Sequence, residues 1–425
     1  MGFLGQLYGF FRTRLGDGPL LVAVLALTSL GIAMVYSAGN GFMTSGVSST
    51  LWTRQAIWLV LALAALGAIL LVSIQWLEWI ALPSYLVGIA LLAATLVIGT
   101  GRGTAAGTKS WIDLGPLAFQ PAQFANVATI LFVAKIMAGR RETPATLWRL
   151  WAPIVAVAVP MGLIVQQPDL GTAMVFGAVM VATLYWGGTP IGLLFMVLSP
   201  LVGLFLSISS WLFNIYMVLL VGWMFFYHRY VNRVGLGAGS LVVLANLFAG
   251  SVVGVLWNQL APYQRNRFTA FLNPMIDPQG AGYQLIQSRV AIGSGGLFGK
   301  GFTQGTQKGF NFLPEPHTDF IFSVVGEEFG LLFGTLPVLL CYAFILWRLA
   351  RIAERSNDPF AGIVVFGIFG AWFAHILVNV GMTVGLMPIT GIPLPFLSYG
   401  GTFLLANFIA LAIAQRVAAE EVEEA

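Results

Sequence analysis

Long apolar runs separated by short polar segments dominate the chain. A helix that spans a bilayer needs about 20 mostly apolar residues. By this rule the pattern predicts twelve membrane-spanning helices, near residues 19–37, 54–73, 76–99, 121–138, 150–166, 170–186, 189–208, 210–227, 237–257, 320–347, 360–386 and 399–416. The pattern therefore predicts an all-α, polytopic integral membrane helix bundle, with residues 1–425 in a single membrane domain.

Composition agrees with this class. Of the 425 residues, 58% are hydrophobic and 8% are charged, against about 45–50% and about 25% in soluble domains. A net charge of +4 is too small to indicate a nucleic-acid partner. The single cysteine, Cys341, lies within an apolar run, which excludes an internal disulfide framework or a cysteine-based metal site.

Basic residues are concentrated at one end of the predicted spans. Twelve fall there: Arg12, Arg14, Lys135, Arg140, Arg141, Arg149, Arg229, Arg233, Arg348, Arg351, Arg355 and Arg416. The short segments at the opposite end hold three: Arg54, Arg102 and Lys109. Because short cytoplasmic loops carry the excess of basic residues, both termini are expected in the cytoplasm.

The longest outside loop, residues 258–318, departs from this bias. It carries five basic residues: Arg265, Arg267, Arg289, Lys300 and Lys308. A solvated surface is one interpretation. An anion site is the other, because glycines between 293 and 301 allow main-chain N–H groups to converge on a phosphate. In a membrane setting, that anion would be a phosphate or pyrophosphate on a lipid.

Ionisable side chains cluster where this loop meets the next apolar run. They are Glu315, His317, Asp319, Glu327 and Glu328. Such groups at the edge of hydrocarbon are costly and usually serve a site. Asp319, flanked by phenylalanines, could act as a general base for a hydroxyl nucleophile. It could equally be the N-cap of the following helix.

The neighbours of Asp319 also allow two interpretations each. Glu315 is a second catalytic or cation-binding carboxylate, or a loop carboxylate. His317 is more typical of a hydrogen-bonding loop histidine than of a catalyst. Glu327 and Glu328 lie about 100° apart on a helix, so at most one faces a cavity, and pairing with a partner across the bundle is expected.

Five motifs resemble those of the SEDS family (shape, elongation, division and sporulation). They are Gln-Gln-Pro-Asp-Leu-Gly-Thr at 166–172, Asp-Pro-Gln-Gly-Ala-Gly-Tyr-Gln at 277–284, the glycine-rich 291–301, Pro-Glu-Pro-His-Thr-Asp-Phe-Ile-Phe with Gly-Glu-Glu-Phe-Gly at 314–330, and Pro-Leu-Pro-Phe-Leu-Ser-Tyr-Gly-Gly at 393–401. Gly-Lys-Gly at 299–301 and Gly-Thr-Gln at 305–307 resemble the elongation member more than the division member.

The resemblance implies an inverting glycosyltransferase that polymerises lipid II into peptidoglycan at the outer face of the bacterial cytoplasmic membrane. Asp319 would deprotonate the 4-hydroxyl of the acceptor GlcNAc, and undecaprenyl pyrophosphate would leave. A class B penicillin-binding protein is the implied partner, and a divalent cation, Mg²⁺ or Mn²⁺, is the implied cofactor.

Further site residues follow from the resemblance. Arg265, Arg267 and Lys300 would hold the pyrophosphate. The other expected substrate-binding positions are Glu315, His317, Asp169, Gln123, Asn126, Lys109 and Ser398. Many members carry Glu and Lys where this chain has Gln123 and Asn126. Because i, i+3 residues are neighbours on a helix, the amide pair could keep the structure without the charges.

The family has ten spans, so the count of twelve predicts an inserted hairpin between about residues 187 and 257. Two other functions stay open. A lipid II flippase would need ionisable groups along a path near the bilayer midplane. A non-catalytic scaffold for the transpeptidase would not need Asp319.

Overall fold

The structure is a computed structural model. It describes residues 15–39, 50–101, 108–115, 117–140, 144, 146–207, 209–231, 235–259, 262–276, 280–310 and 312–424. Several residues singled out above lie outside these ranges: Arg12, Arg14, Arg102, Arg141, Arg233 and 277–279.

The apolar runs form helices, because a helix satisfies every main-chain polar group within one segment. The helices of the first half are α1 (Gly18–Gly39), α2 (Leu51–Ile69), α3 (Ile74–Ile98), α4 (Pro121–Ala138), α5 (Trp151–Gln166), α6 (Leu170–Trp186) and α7 (Ile191–Leu206). Between α3 and α4, strands β1 (Ile112–Leu114) and β2 (Leu117–Phe119) form an antiparallel hairpin. A 3₁₀ turn, Leu147–Leu150, precedes α5.

The second half continues in the same way. Its helices are α8 (Ser210–Tyr230), α9 (Leu236–Gln259), α10 (Pro262–Leu272), α11 (Ala281–Gly295), α12 (Thr306–Gly309), α13 (Ile321–Gly330), α14 (Leu336–Arg355), α15 (Pro359–Val384) and α16 (Gly401–Glu424). A 3₁₀ turn, Pro274–Ile276, follows α10, and a π-helical turn, Leu331–Thr335, joins α13 to α14.

The described residues confirm the all-α membrane class. Nine helical segments are long and apolar enough to cross a bilayer, with α13 and α14 counted together. Three shorter apolar helices lie at 170–186, 191–206 and 237–252. Each of the twelve predicted spans coincides with one of these segments.

Helices α15 and α16 form the middle of the bundle. Their membrane-spanning windows are 78% and 89% buried, against 17% for α2. α15 packs against α4, α6, α14 and α16. Polar side chains on α15 are therefore surrounded by protein rather than lipid.

Helices α7, α8 and α9 pack mainly on one another. A buried polar cluster joins them: Nδ2 of Asn246 donates to Oγ of Ser199 at 2.8 Å, and the Tyr216 hydroxyl donates to the Ser199 carbonyl oxygen at 2.6 Å. The prediction that 187–257 contains an inserted hairpin stays a prediction. The three helices form a distinct unit at the side of the bundle.

The outer loop folds onto the bundle through α11, which packs against α13 and α15. Oγ of Ser288 lies 2.7 Å from Oγ of Ser323 and donates to the Thr383 carbonyl oxygen at 2.8 Å. Arg289 donates to the last carbonyl groups of α15, from Nε to Val384 at 3.1 Å. These contacts hold α11 against α13 and α15.

The helix from Ile321 to Arg355 is interrupted at Gly330. The carbonyl oxygens of Glu327 and Glu328 accept from the N–H groups of Lys300 and Gly301, at 3.0 and 2.9 Å. After the break, the N–H groups of residues 331–332 donate to the carbonyl oxygens of residues 296–297, at 2.9 Å each. Segment 296–301 thus supplies four main-chain hydrogen bonds at the break, about as many as one helical turn contains.

Candidate active site

Asp319 lies just before α13 at the end of the outer loop, and its side chain is buried. The helix begins at Ile321, and its N-cap residue is Phe320, without a side-chain cap hydrogen bond. Asp319 therefore does not occupy the N-cap position that the alternative interpretation requires.

The main chain of residues 317–319 is held by three hydrogen bonds. The carbonyl oxygen of His317 accepts from the Tyr399 N–H at 2.9 Å. That of Thr318, the second, accepts from Oγ of Ser398 at 2.7 Å. The third, that of Asp319, accepts from Nδ2 of Asn379 at 2.9 Å. The last outer loop and α15 together fix this segment.

Glu315 and His317 lie beside Asp319 in the same turn. Oε2 of Glu315 is 3.5 Å from Nε2 of His317. Burial raises the pKa of Glu315, with Thr318 opposing the rise. Burial also lowers the pKa of His317, while the negative charge of Asp319 opposes that shift. Both pKa shifts favour the neutral form of the group, and both side chains are partly exposed. Such groups are suited to passing a proton to water.

Glu315 also has an unusual main-chain conformation. Its φ is +46°, in the left-handed region that non-glycine residues rarely adopt. Such strain persists where the surroundings over-determine the conformation, and it concentrates at functional sites. The geometry of Glu315 is consistent with a site rather than with an unconstrained loop carboxylate.

Asp169 caps α6 and faces the outer loop. Its carboxylate accepts from the N–H and Oγ1 of Thr172, at 3.0 and 2.9 Å. Burial raises the pKa of Asp169, while Thr172, Ser110 and the positive charge of Arg267 lower it. The structure thus brings Asp169 near Arg267. The substrate-binding role of both residues stays a prediction.

The other cations are placed differently. Arg265 and Arg267 are two positions apart on α10, and residues at this spacing do not share a helix face. Nζ of Lys300 forms an ion pair of 2.7 Å with Oε1 of Glu327. The N–H of Lys109 donates to the Gln167 carbonyl oxygen at 3.2 Å, and its side chain is exposed. The predicted cations therefore do not converge on one point.

The glycine-rich segment has a structural role at the positions described above. The N–H groups of 299–301 all donate to main-chain carbonyl oxygens. A side chain at Gly295 would overlap the Gly326 carbonyl oxygen, and one at Gly299 would overlap that of Glu328. The interpretation of these N–H groups as an anion cradle is wrong, because they already donate to carbonyl oxygens. The glycines instead allow the segment to approach α13 closely.

Glu327 and Glu328 both have cationic partners across the fold. Oε1 of Glu327 also accepts from the N–H of Thr306 at 2.8 Å. Oε1 of Glu328 pairs with Nζ of Lys308 at 2.6 Å, with both side chains fully buried. Oγ of Ser37, on α1, donates to Oε2 of Glu328 at 2.8 Å. The predicted pairing with partners across the fold is confirmed. Lys308 is one of these partners, although the sequence shows it only as one of the loop cations.

Gln123 and Asn126 line a cavity inside the bundle. It has a volume of about 20 Å³, room for about one water molecule. His375 on α15 and Asn407 on α16 complete its polar lining. His375 is four residues before Asn379, so the two residues are about 6 Å apart along the axis of α15, roughly one helical turn.

The described residues do not form a metal centre. No group of three or more His, Cys, Asp or Glu side chains in the described ranges is arranged to hold a metal ion. The divalent cation that the resemblance implies stays a prediction.

Comparison with known proteins identifies the family. The family model FTSW_RODA_SPOVE, described as "Cell cycle protein", matches residues 19–235 and 213–423. The chain belongs to this family. The membership confirms the resemblance inferred from the five motifs.

Several named proteins are similar to this chain along nearly their whole length. Peptidoglycan glycosyltransferase RodA of Treponema pallidum is 34% identical, over 95% of this chain and 98% of the relative. Peptidoglycan glycosyltransferase MrdB of Escherichia coli K12 is 32% identical, over 94% and 93%. Stage V sporulation protein E of Bacillus subtilis is 32% identical, over 93% and 95%.

Two solved structures share the fold. One is from a study of the "structural coordination of polymerization and crosslinking by a peptidoglycan synthase complex", with TM-score 0.70, 30% identity, and coverage of 96% of this chain and 98% of that one. The other is the rod shape determining protein RodA of Thermus thermophilus, with TM-score 0.62, 26% identity, and coverage of 96% and 97%.

Proposed function

We propose that this family member is a peptidoglycan glycosyltransferase that polymerises lipid II during cell-wall elongation, with Asp319 as the general base. Family membership and the names of the relatives support the reaction class. The observation that carries the assignment of the base is a buried carboxylate on a main chain held by three hydrogen bonds.

In the reaction, the Asp319 carboxylate takes the proton of the acceptor GlcNAc 4-hydroxyl. The hydroxyl oxygen bonds to the anomeric carbon of the donor sugar from the face opposite the leaving group. The bond to undecaprenyl pyrophosphate breaks, the configuration inverts, and the pyrophosphate takes the electron pair. Glu315 and His317 are placed to pass the proton from Asp319 to water.

The pyrophosphate is assigned to Arg267, which lies near Asp169, in preference to Lys300, whose charge is matched by Glu327. Arg265, on another face of α10, is left out of this assignment. A pyrophosphate at Arg267 would compete with Asp169. The raised pKa of Asp169 favours such an exchange, because the carboxyl group gives up its charge readily. The neutral Gln123 and Asn126 are assigned to uncharged sugar or acetamido groups.

The flippase alternative is less well supported. It needs ionisable groups that can interact with a substrate moving across the membrane. Glu327 and Glu328, the main candidates within a span, are each committed to an ion pair with the outer-loop segment.

We further infer that the protein lies in the bacterial cytoplasmic membrane with both termini in the cytoplasm, and that it works with a class B penicillin-binding protein. The distribution of basic residues supports the orientation. The similar chain from a complex that coordinates polymerization and crosslinking supports a transpeptidase partner.

The decisive experiment compares glycan-strand synthesis from purified lipid II by the wild type and Asp319→Asn, each with the transpeptidase subunit. Loss of a general base typically costs about 10²–10⁴-fold in rate, so the variant should make no detectable polymer. The control is Asp358→Asn, which should polymerise normally. Asp358 is the N-cap of α15, whereas Asp319 contacts Asn379 near the opposite end of that helix. Equal polymerisation by wild type and Asp319→Asn would refute the assignment.

A further inference from the structure

One buried amide joins Asp319 to two other parts of the fold. Nδ2 of Asn379, on α15, donates to the carbonyl oxygen of Asp319 at 2.9 Å and to that of Ile392 at 2.8 Å. Its side chain is fully buried. The side chain of Asn379 therefore fixes both Asp319 and the last outer loop relative to α15.

The orientation of this amide is determined by its partners. Both N–H bonds of Nδ2 point at carbonyl oxygens outside its own helix, whereas Nδ2 of Asn407 donates to Phe403 within its own helix. Among the described residues, Oδ1 of Asn379 accepts no hydrogen bond. Turning the amide over would place this oxygen against two acceptors, so only one orientation satisfies them.

The neighbouring carbonyl group is held by an equally specific arrangement. Oγ of Ser398 donates to the Thr318 carbonyl oxygen and accepts from the Leu394 N–H at 2.9 Å. Gln55, on α2, in turn accepts from the Gly400 N–H at 3.2 Å and donates to the Ser398 carbonyl oxygen at 3.3 Å. Both hydrogen bonds of the Ser398 hydroxyl are therefore made to main-chain groups.

We propose that Asn379 is a positioning residue for Asp319, and that Ser398 assists it from the adjacent peptide. The inference rests on the proposed function, because it matters only if Asp319 reacts. A general base acts over hydrogen-bond distances, and a displacement of about 1 Å can cost about 100-fold in rate. Holding the main chain at 317–319 keeps the carboxylate at one place relative to the acceptor hydroxyl.

The test is Asn379→Leu, with Asn246→Leu as the matched control. Asn246 is also fully buried, and its Nδ2 also donates twice, to Ser199 and Val242, but in the unit of α7, α8 and α9. Asn379→Leu loses two hydrogen bonds and Asn246→Leu loses three, because Oδ1 of Asn246 also accepts from the Tyr216 hydroxyl at 3.1 Å. The control should therefore show a fall in melting temperature at least as large as that of Asn379→Leu. Only Asn379→Leu should lower kcat for lipid II polymerisation, by about 10- to 100-fold, with KM within about twofold of wild type.

A second pair keeps the proposal testable if Asn379→Leu does not fold. Ser398→Ala should lower kcat about 3- to 10-fold, as a partial loss of the same positioning effect. Ser199→Ala is its control, because Oγ of Ser199 likewise donates to a carbonyl oxygen and accepts from an N–H; its kcat should be unchanged.

The outcomes separate the two proposals. Wild-type kcat in Asn379→Leu, or in Ser398→Ala where the first variant is unfolded, overturns the positioning role while Asp319→Asn stays inactive. A rise in KM with unchanged kcat also overturns it, because that marks substrate binding. Activity in Asp319→Asn refutes the general base itself, independently of Asn379.

Discussion

Lys308 and Glu328 form an ion pair that is sealed from solvent, with no exposed side-chain surface on either residue. Burying two charges is costly, and their attraction repays this cost only when the geometry is good and further hydrogen bonds are present. Ser37 supplies such bonds by donating to Glu328. The pair therefore ties α1, α12 and α13 together at a point where an unpaired charge would be severely destabilising.

Replacing Glu328 by Gln should lower the free energy of unfolding by about 3–5 kcal/mol, because Lys308 is left buried without its counter-charge. Thermal or denaturant unfolding of the purified protein in detergent measures the change. The double variant Lys308→Met with Glu328→Leu should recover most of the loss, since no charge then remains buried.

Glu354→Gln is the control for this prediction. Oε2 of Glu354 lies 3.5 Å from Nη1 of Arg351, but the Glu354 side chain is 65% exposed. Exposed ion pairs contribute about 0–1 kcal/mol to stability. A loss at Glu328 no larger than that at Glu354 would contradict the account of the buried pair.

At the residue level, the sequence predicted the groups that carry charge but not the groups that hold them. Asp319, Glu315 and His317 stand out because charged side chains are rare in this chain. Asn379 does not, although a lone amide within an apolar run is a usable signal of a specific contact. Lys308 is indistinguishable from the other loop cations in the sequence. Its burial depends on partners that are distant in the chain, on α1 and α13.

The break at Gly330 is the element on which the outer loop depends. Gly330 has φ +71°, and a side chain there would overlap the main chain of Leu297 and Gly299. Gly330→Ala should therefore displace segment 296–301. The strained conformation alone costs about 1–3 kcal/mol, and the free energy of unfolding should fall by at least that much, as detergent unfolding would show.

Gly177→Ala, in α6, is the matched control. A side chain there meets nothing within 4 Å, and alanine within a helix is favoured over glycine by about 0.5–1 kcal/mol. This variant should be as stable as wild type or slightly more so. Equal stability of both alanine variants would contradict the role of Gly330.

At the element level, the sequence predicted the helices that depend on local pattern. The twelve apolar runs suffice to predict the spans. The break at Gly330 and the hairpin of β1 and β2 were not predicted. The break depends on hydrogen bonds between Glu327–Leu332 and residues 27 to 35 positions earlier, and no local sequence pattern carries that information.

At the scale of the whole molecule, one network joins the two ends of the chain. Arg348, on α14, pairs with Asp17, and the Asp17 N–H donates to Oε1 of Gln415 at 2.6 Å. Nε2 of Gln415 donates back to the Asp17 carbonyl oxygen at 2.8 Å. The start of α1 and the C-terminal part of α16 therefore lie at the same end of the bundle.

Single-cysteine labelling tests which end faces the cytoplasm. In a Cys341→Ala background, a cysteine replacing exposed Asn357 lies between α14 and α15, and one replacing exposed Gln304 lies in the outer loop. In spheroplasts, a membrane-impermeant maleimide should label Gln304→Cys and should label Asn357→Cys only after permeabilisation. The reverse pattern would contradict the orientation and place Asp319 in the cytoplasm.

The interrupted helix constrains how the protein is made. Until segment 296–301 docks, the carbonyl groups of Glu327 and Glu328 have no main-chain partners, and each such group costs several kcal/mol in hydrocarbon. The docking segment precedes the helix in the chain, so it emerges from the ribosome first. Docking of this segment and stable burial of the interrupted helix are therefore coupled, and a chain whose segment failed to dock would leave this helix poorly suited to the bilayer.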